Sequence, residues 1–292
     1  MAIKYLDAKR LQGTNAERLA LTTNLPAWED STFSSWSADS SGDVVVTGSE
    51  VVITPADPSY GNAYHLGFDL QDATALDGVN LSNTSWVFQF TIDMSTWSVN
   101  GTCDYRDALV AISDGTDRTG DFVEFGASNT YCSSTGRGLK FALKYNKTYE
   151  SLIDADSSGN NETFPSASTV YATSQGSTYG IRITRSSSSA FKMEIWTNTS
   201  FTGSASATYD STDTTLCGNV NDLRYVWCAG YKQASATGSL VMKVDNMKIW
   251  NGTTSTTAVY PSLPNGTIFN ETDTYKYFMW NGTDTWNQMV SS

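Results

Sequence analysis

Along most of the chain, apolar and polar side chains alternate one by one, the period of a β-strand with one buried face. In "SWVFQFTID" (85–93), Trp86, Phe88, Phe90 and Ile92 fall on one face, and Val87, Gln89, Thr91 and Asp93 on the other. "GLKFALKY" (138–145) sets Leu139, Phe141, Leu143 and Tyr145 against Lys140 and Lys144. "DVVVTGSEVVIT" (43–54) reads as a hairpin about Gly48. "YGIRITR" (179–185) and "AFKMEIW" (190–196) read as a second hairpin, joined by a serine loop. "RYVWCAGY" (224–231) and the stretch 239–250 complete the set. In the last, Leu240, Met242 and Val244 alternate, Asp245 and Asn246 interrupt, and Met247 and Ile249 resume. Strands at this spacing, broken by Gly, Ser or Asn, predict an all-β antiparallel sandwich and not β-α-β units. No amphipathic helix of ordinary length follows residue 30, and no internal repeat is found.

The two ends differ from this pattern. Residues 1–42 read as an N-terminal arm and lead-in, with a short helix starting in "TNAERLAL" (14–21), Thr14 or Asn15 as N-cap and Glu17 in the first turn. Lys4, Lys9, Arg10 and Arg18 against Asp7 and Glu17 make the arm locally basic, which suits docking on a partner. The sandwich is expected over 43–252 and a linker with Pro261 and Pro264 over 253–264. Residues 265–292 read as a β-hairpin appendage of two or three short strands: Thr267 to Phe269, Tyr275 to Trp280 and Trp286 to Met289, with Asn281-Gly282 as a tight turn. That piece is too small to be stable alone, so it packs on the sandwich or on a neighbouring chain.

Charge narrows the function classes. The 292 residues carry a formal net charge of -12, with 16% charged and 12% aromatic residues. No Lys/Arg cluster exists to neutralise phosphates or anionic lipid, so nucleic acid is excluded as a partner. No apolar run reaches the length of a membrane span, so membrane insertion is excluded too. The four cysteines, Cys103, Cys132, Cys217 and Cys228, form no CxxC pair, and the single histidine, His65, is far from them, which argues against zinc. Two disulfides are expected, Cys103–Cys132 and Cys217–Cys228, each bracketing a short excursion between strands; four free thiols are the alternative. N-x-S/T sequons start at Asn80, Asn83, Asn100, Asn146, Asn161, Asn198, Asn251, Asn265, Asn270 and Asn281. That is about twice what chance would place, and several lie at Asn-Gly turns where a glycan projects freely. Both signals point outside the cytoplasm. "MAIKYLDAKRLQGT" nevertheless lacks an apolar signal region, which fits a virion component assembled in the cell or a chain whose leader is gone.

Three segments carry a family resemblance: "TSWVFQFTIDMSTW" (84–97), "TYGIRITRSSSSAFKMEIWTN" (178–198) and "GSLVMKVDNMKIWNGTT" (238–254). Residues 44 to 251 resemble the laminin-G-like or concanavalin A-like jelly-roll family, with these segments as its first central strand, middle hairpin and closing strand. The ends, "IKYLDAKRLQGTNAERLAL" (3–21) and "GTIFNETDTYKYFMWNGTDTWN" (266–287), resemble terminal segments of structural proteins of marine phages and archaeal viruses. The resemblance implies that Asp245 and Asn246 are structural, the acid bonding backbone amides near a sheet edge; a calcium ligand is the functional alternative.

Carboxylates, cation-binding loops and aromatics supply the candidate chemistry. Glucanases on similar jelly rolls carry carboxylates two residues apart on one strand, so that both reach one face. Here Glu124 and Asp121 are three apart, and Glu194 has no acid two residues away. Lyases on similar folds need a histidine with tyrosine and glutamine; His65 lies between Tyr64 and Leu66, without the QIH-like partner strand. "DADSSGNNE" (154–162) opens like an EF-hand loop, so Asp154, Asp156, Ser158 and Asn160 are the candidate calcium ligands around Gly159, although the twelfth position is Pro165. Asp114, Asp117 and Asp121 are a second candidate set. Sugar sites on sandwiches combine an aromatic platform with amides and acids. Trp97 with Asn100 and Asp104, Tyr131 with Asn129, Trp227 and Tyr231 supply those groups. The expectation is a non-enzymatic, lectin-like structural protein of a virion or extracellular surface, serving glycan or host-surface adhesion and assembly with like or other surface proteins, as a homo-oligomer. A secreted carbohydrate-active enzyme and a cellular surface-layer adhesin are the alternatives.

Overall fold

A computed structural model describes residues 4–7, 10–19, 21–22, 26–30, 44–47, 49–54, 64–70, 80–94, 98–100, 106–114, 138–143, 149–154, 161–164, 176–211, 220–232, 237–239, 241–261 and 263–289. The chain forms two compact units: Pro26–Thr254, and Met1–Leu25 together with Ser255–Ser292. The described elements begin with β1 (Lys4–Asp7), β2 (Arg10–Gly13) and the short helix α1 (Asn15–Leu19). Then come β3 (Trp28–Asp30), β4 (Val44–Thr47), β5 (Glu50–Ile53), β6 (Tyr64–Asp69), β7 (Trp86–Asp93), β8 (Ser98–Asn100) and β9 (Arg106–Ser113). These are followed by β10 (Gly138–Leu143), β11 (Tyr149–Asp154), β12 (Asn161–Phe164), β13 (Thr178–Ser187), β14 (Ala190–Trp196) and β15 (Ala207–Ser211). The chain continues with β16 (Tyr225–Lys232), β17 (Thr237–Ser239), β18 (Met242–Asn251), β19 (Ile268–Glu271), β20 (Tyr277–Trp280) and β21 (Trp286–Met289).

The larger unit is an antiparallel β-sandwich of jelly-roll-like topology, as the alternation predicts. An eight-stranded sheet runs β15-β14-β13-β7-β18-β5-β4, with β3 also on β18, and a six-stranded sheet runs β12-β11-β10-β9-β16-β6. β8 and β17 form a separate pair. Between the two large sheets lies one core. The eight-stranded sheet contributes Phe88, Phe90 and Ile92 from β7, Ile181 and Ile183 from β13, Met193 and Ile195 from β14, and Val244, Met247 and Ile249 from β18. The other contributes Val110 and Ile112 from β9, Phe141 from β10, and Val226 and Cys228 from β16. Phe90 bridges the layers, its ring 5.0 Å from Phe88 and 5.8 Å, edge-on, from Phe141. Each such side chain contributes roughly 1.5–3 kcal/mol on leaving water, which makes this core the main source of stability.

Among the described residues, one cation sits inside that core. Arg185, fully buried, donates from Nη1 to Val220 O, from Nε to Ser187 O, and from Nη2 to Ser188 O and Asn221 Oδ1. Its guanidinium lies 5.1 Å from the Phe191 ring. A planar fork with several carbonyl acceptors satisfies a charge that would otherwise be prohibitive to bury. It ties the β13–β14 turn to the segment before β16.

The interruption at Asp245-Asn246 is a β-bulge. Asp245 pairs with Thr91 and Lys248 with Gln89, so Asn246 and Met247 of β18 stand opposite Phe90 alone. Asn246 has φ +54°, a left-handed conformation that Asn tolerates better than most residues. The extra residue explains why Met242 and Val244, then Met247 and Ile249, all reach the core despite a three-residue step between Val244 and Met247. It also divides the edge of β18: β5 pairs before the bulge and β3 after it. The turn is held locally, Asn246 N donating to Asp245 Oδ1 at 2.6 Å and Thr91 Oγ1 to Asp245 O at 3.1 Å.

In the smaller unit, a five-stranded sheet runs β1-β2-β19-β20-β21. β2 and β19 are parallel and bring the two ends of the chain side by side. One face buries Leu11, Phe269 and Phe278, packed with Leu21, Leu263 and Trp286. α1 begins with a capping box: Glu17 N donates to Thr14 Oγ1 at 3.2 Å and Thr14 N to Glu17 Oε2 at 2.8 Å. No described helix is long and apolar enough to cross a membrane.

Candidate functional site

The face of the eight-stranded sheet turned away from the core carries an ordered polar row. Directly paired residues share a face. Pairing therefore aligns Glu29 of β3, Lys248 of β18, Gln89 of β7, Arg182 of β13, Glu194 of β14 and Thr208 of β15 across six strands. Most of the charges neutralise one another. Lys248 pairs with Glu29, Lys192 with Glu194 at 3.2 Å, and Lys243 with Glu50 at 2.9 Å.

Arg182 is held differently. Its Nε and Nη2 donate to Gln89 Oε1 at 3.1 and 3.0 Å, so its partner is an amide and not a carboxylate. The guanidinium lies 4.6 Å from the Trp196 ring and 5.5 Å from that of Phe201. Removal from water pulls its pKa below the usual guanidinium value, while Glu194 pulls the other way. Arg stays charged under such a shift. A positive charge in reduced dielectric attracts an incoming oxygen more strongly than one in bulk water. Among the described residues, nothing bonds its Nη1.

The loop between β14 and β15 walls this position. Asn198 organises it, accepting from Thr202 N at 3.3 Å and Ser200 Oγ at 3.1 Å and donating to Thr202 O at 3.1 Å. Trp196 Nε1 donates to Gly203 O at 3.2 Å. Phe201 is held at φ +55°, costly for an aromatic residue, and its ring meets Trp196 edge-on at 5.4 Å. It rests on Gly180: a Cβ there would stand 2.7 Å from Phe201 Cε1 and 2.8 Å from Asn198 O. The result is a half-buried guanidinium edge, backed by an amide and flanked by two aromatic rings. Such a set suits a ligand with a ring C–H face and clustered oxygens.

Few of the sequence-based candidates fall among the described residues. Asp154 ends β11 opposite Asn161 of β12, while Asp156, Ser158 and Asn160 lie outside the described residues. No group of three or more His, Cys, Asp or Glu able to hold a metal occurs among the described residues. Trp97, Asp104, Asp117, Asp121, Glu124, Asn129 and Tyr131 lie outside the described residues. Asn100 is in β8, Trp227 and Tyr231 are in β16, and His65 is in β6 opposite Ala229. Cys228 is a free thiol in the core, and burial raises its pKa well above the ordinary value. Cys103, Cys132 and Cys217 lie outside the described residues.

Several sequon asparagines organise turns through the amide that would carry a glycan. Asn83 Nδ2 donates to Asp222 Oδ1, and Asn281 Nδ2 to Asp284 Oδ1. Asn281 Oδ1 also accepts the amides of Thr283, Asp284 and Thr285. Asn251 accepts from Ser82 N at 2.8 Å. Asn80 precedes β7, Asn265 is exposed, Asn161 opens β12 and Asn270 lies in β19, while Asn146 is outside the described residues. Sequence reasoning placed Gln89 on the outward face of its strand but gave Arg182, Trp196 and Phe201 no role. The available signal was a lone arginine at the polar phase of "YGIRITR".

No protein-family model matches the chain, and no curated protein matches it in sequence. Among solved structures, it is similar to the marine PL-14 alginate lyase from Aplysia kurodai, with TM-score 0.52 and 11% identity over 78% of this chain and 99% of that one. It is also similar to a protein of unknown function from Shewanella oneidensis, with TM-score 0.47 and 13% identity over 83% and 96%. A third is the CBM2 module of the evolved Dit of Lactobacillus casei BL23 phage J-1, with TM-score 0.48 and 8% identity over 77% and 95%. At these identities the likeness is one of fold, a β-sandwich of jelly-roll type.

Proposed function

We propose that the sandwich binds a saccharide on the outward face of its eight-stranded sheet, and that the chain is a surface or virion structural protein using this face for adhesion. The observation that carries the reading is the Arg182 arrangement: a cation bonded to an amide, held out of bulk water between Trp196 and Phe201. On a face where Lys192, Lys243 and Lys248 are matched to carboxylates, it has attraction to spare for a ligand oxygen. Strain at Phe201 supports the same reading, because unfavourable backbone is retained where a side chain must be displayed. The fold is shared with an alginate lyase, a sugar-processing protein by its description, which suits a saccharide ligand.

Binding is proposed over turnover because Glu194 is committed to Lys192 at 3.2 Å. A calcium ion held by Asp154, Asp156, Ser158 and Asn160 belongs to the same proposal as a second element of recognition. The test is a glycan array on the full chain with and without chelator, followed by a product assay on every bound polysaccharide. Binding without product supports adhesion. Product formation lost in Glu194→Gln would replace adhesion with catalysis, and absence of any bound glycan would overturn both.

A further inference from the structure

Asn198 organises the loop that walls Arg182, and with Thr199 and Ser200 it also forms an N-x-S/T sequon. Its side-chain amide carries two hydrogens. One is donated to Thr202 O at 3.1 Å, and the other meets no acceptor among the described residues. N-glycosylation replaces one amide hydrogen, keeps the other and leaves the carbonyl oxygen unchanged. A glycan on Asn198 is therefore compatible with every bond that holds the loop: Asn198 Nδ2 to Thr202 O, and Thr202 N and Ser200 Oγ to Asn198 Oδ1. Thr199, Ser200 and Thr202 are exposed, so the loop meets solvent where the sugar would leave it. The same loop borders the Arg182 site closely. Asn198 O lies 2.8 Å from the position a Gly180 Cβ would take. Gly180 and Arg182 share one face of β13, two residues or roughly 6.6 Å apart. Phe201, three residues after Asn198, has its ring 5.5 Å from the Arg182 guanidinium.

We infer that Asn198 is a regulatory glycosylation site, and that a glycan there closes the Arg182 site to long saccharide chains. The inference rests on the saccharide reading proposed above. A glycan rooted on the wall of the site is tethered, so its local concentration over the guanidinium edge is far above that of any free sugar. It fills that volume and excludes other chains from it. A polymer has to cross the loop to reach Arg182 and is shut out, whereas a short oligosaccharide needs only the guanidinium edge and the Phe201 ring. The bare chain is then the adhesive form, and the chain modified at Asn198 is the restricted one.

The test uses the full chain made in a glycosylating secretory host and in a bacterial cytoplasm. The probe is the array glycan bound most tightly, offered as its trisaccharide and as its parent polymer. Ser200→Ala removes this sequon alone, leaving Asn198, its two bonds with Thr202 and every other sequon in place. Peptide mapping is expected to find Asn198 occupied in the wild type from the secretory host. That form is expected to bind the polymer about tenfold more weakly than the bacterial form, with a smaller loss for the trisaccharide. Ser200→Ala from the secretory host is expected to bind the polymer as the bacterial wild type does. A bare Asn198 in the secretory host, or equal polymer affinity of occupied and bare chains, would overturn the inference and leave the saccharide site standing. Weak binding by Ser200→Ala from both hosts would assign the effect to the loop itself and overturn it too. Absence of binding in every form would overturn the saccharide site and this inference together.

Discussion

Arg18 and Glu271 lie 253 positions apart in the chain, yet Arg18 Nε donates to Glu271 Oε1 at 2.6 Å. Glu271 is 1% exposed and also accepts from Thr274 Oγ1, while Arg18 stacks 3.8 Å from the Phe278 ring. Removing one partner of such a buried pair strands the other, at a cost of roughly 3–5 kcal/mol. Glu271→Ala is expected to open the smaller unit by that amount, read as lost hydrogen-exchange protection in β19 and β20. The double change Arg18→Met with Glu271→Met is expected to recover most of it.

The bulge at Asn246 gives a second expectation. Its left-handed backbone costs most residues about 1 kcal/mol or more. Asn246→Gly should therefore leave stability within roughly 0.5 kcal/mol of wild type, and Asn246→Val should lower it by about 2 kcal/mol or more. The urea midpoints of the two variants check this. Equal midpoints would mean that the backbone at this position is not left-handed.

Cys228 is expected to react as a buried thiol. Burial keeps it protonated at neutral pH, and the thiolate is the reactive form. Iodoacetamide should leave the Cys228 peptide unmodified in the native protein and label it fully in denaturant without reductant. Failure to label in denaturant would establish a disulfide to Cys228.

Two carboxylates, the exposed Asp284 and the half-buried Glu17, set an acid sensitivity in the smaller unit. Hydrogen bonds from Asn281 and Thr285 hold the Asp284 pKa below its ordinary value, and the Thr14 amide does the same for Glu17. A folded-state pKa below the unfolded one contributes stability above the unfolded value, and loses it as pH falls through the folded one. The turn after β20 and the start of α1 should loosen only below the ordinary carboxylate range. Amide exchange at Thr285 and Thr14, followed against pH, checks the sign. The variants Asp284→Asn and Glu17→Gln should flatten each profile.

Trp86, Phe88, Phe90 and Ile92 announced their strand and its buried face because alternation is a local property. The three-residue step from Val244 to Met247 was equally visible as an interruption, though the left-handed Asn246 that causes it was not. What sequence could not supply was register. Gln89 and Arg182 meet because β7 and β13 pair across 93 positions, and nothing local to either strand states that offset. The parallel meeting of β2 and β19 is of the same kind. The turn roles of Asn83, Asn198 and Asn281 were hidden for another reason. Asn followed by Gly or Thr serves turns and glycosylation alike, and the pattern reads the same for both.

The most direct test of the account is the affinity of the full chain and of Arg182→Met for a glycan selected on the array. The expected result is at least a tenfold weaker Kd, or about 1.4 kcal/mol, for the variant, with the melting temperature unchanged. Equal affinity in the two proteins would contradict the claim that the Arg182 face is where the saccharide binds.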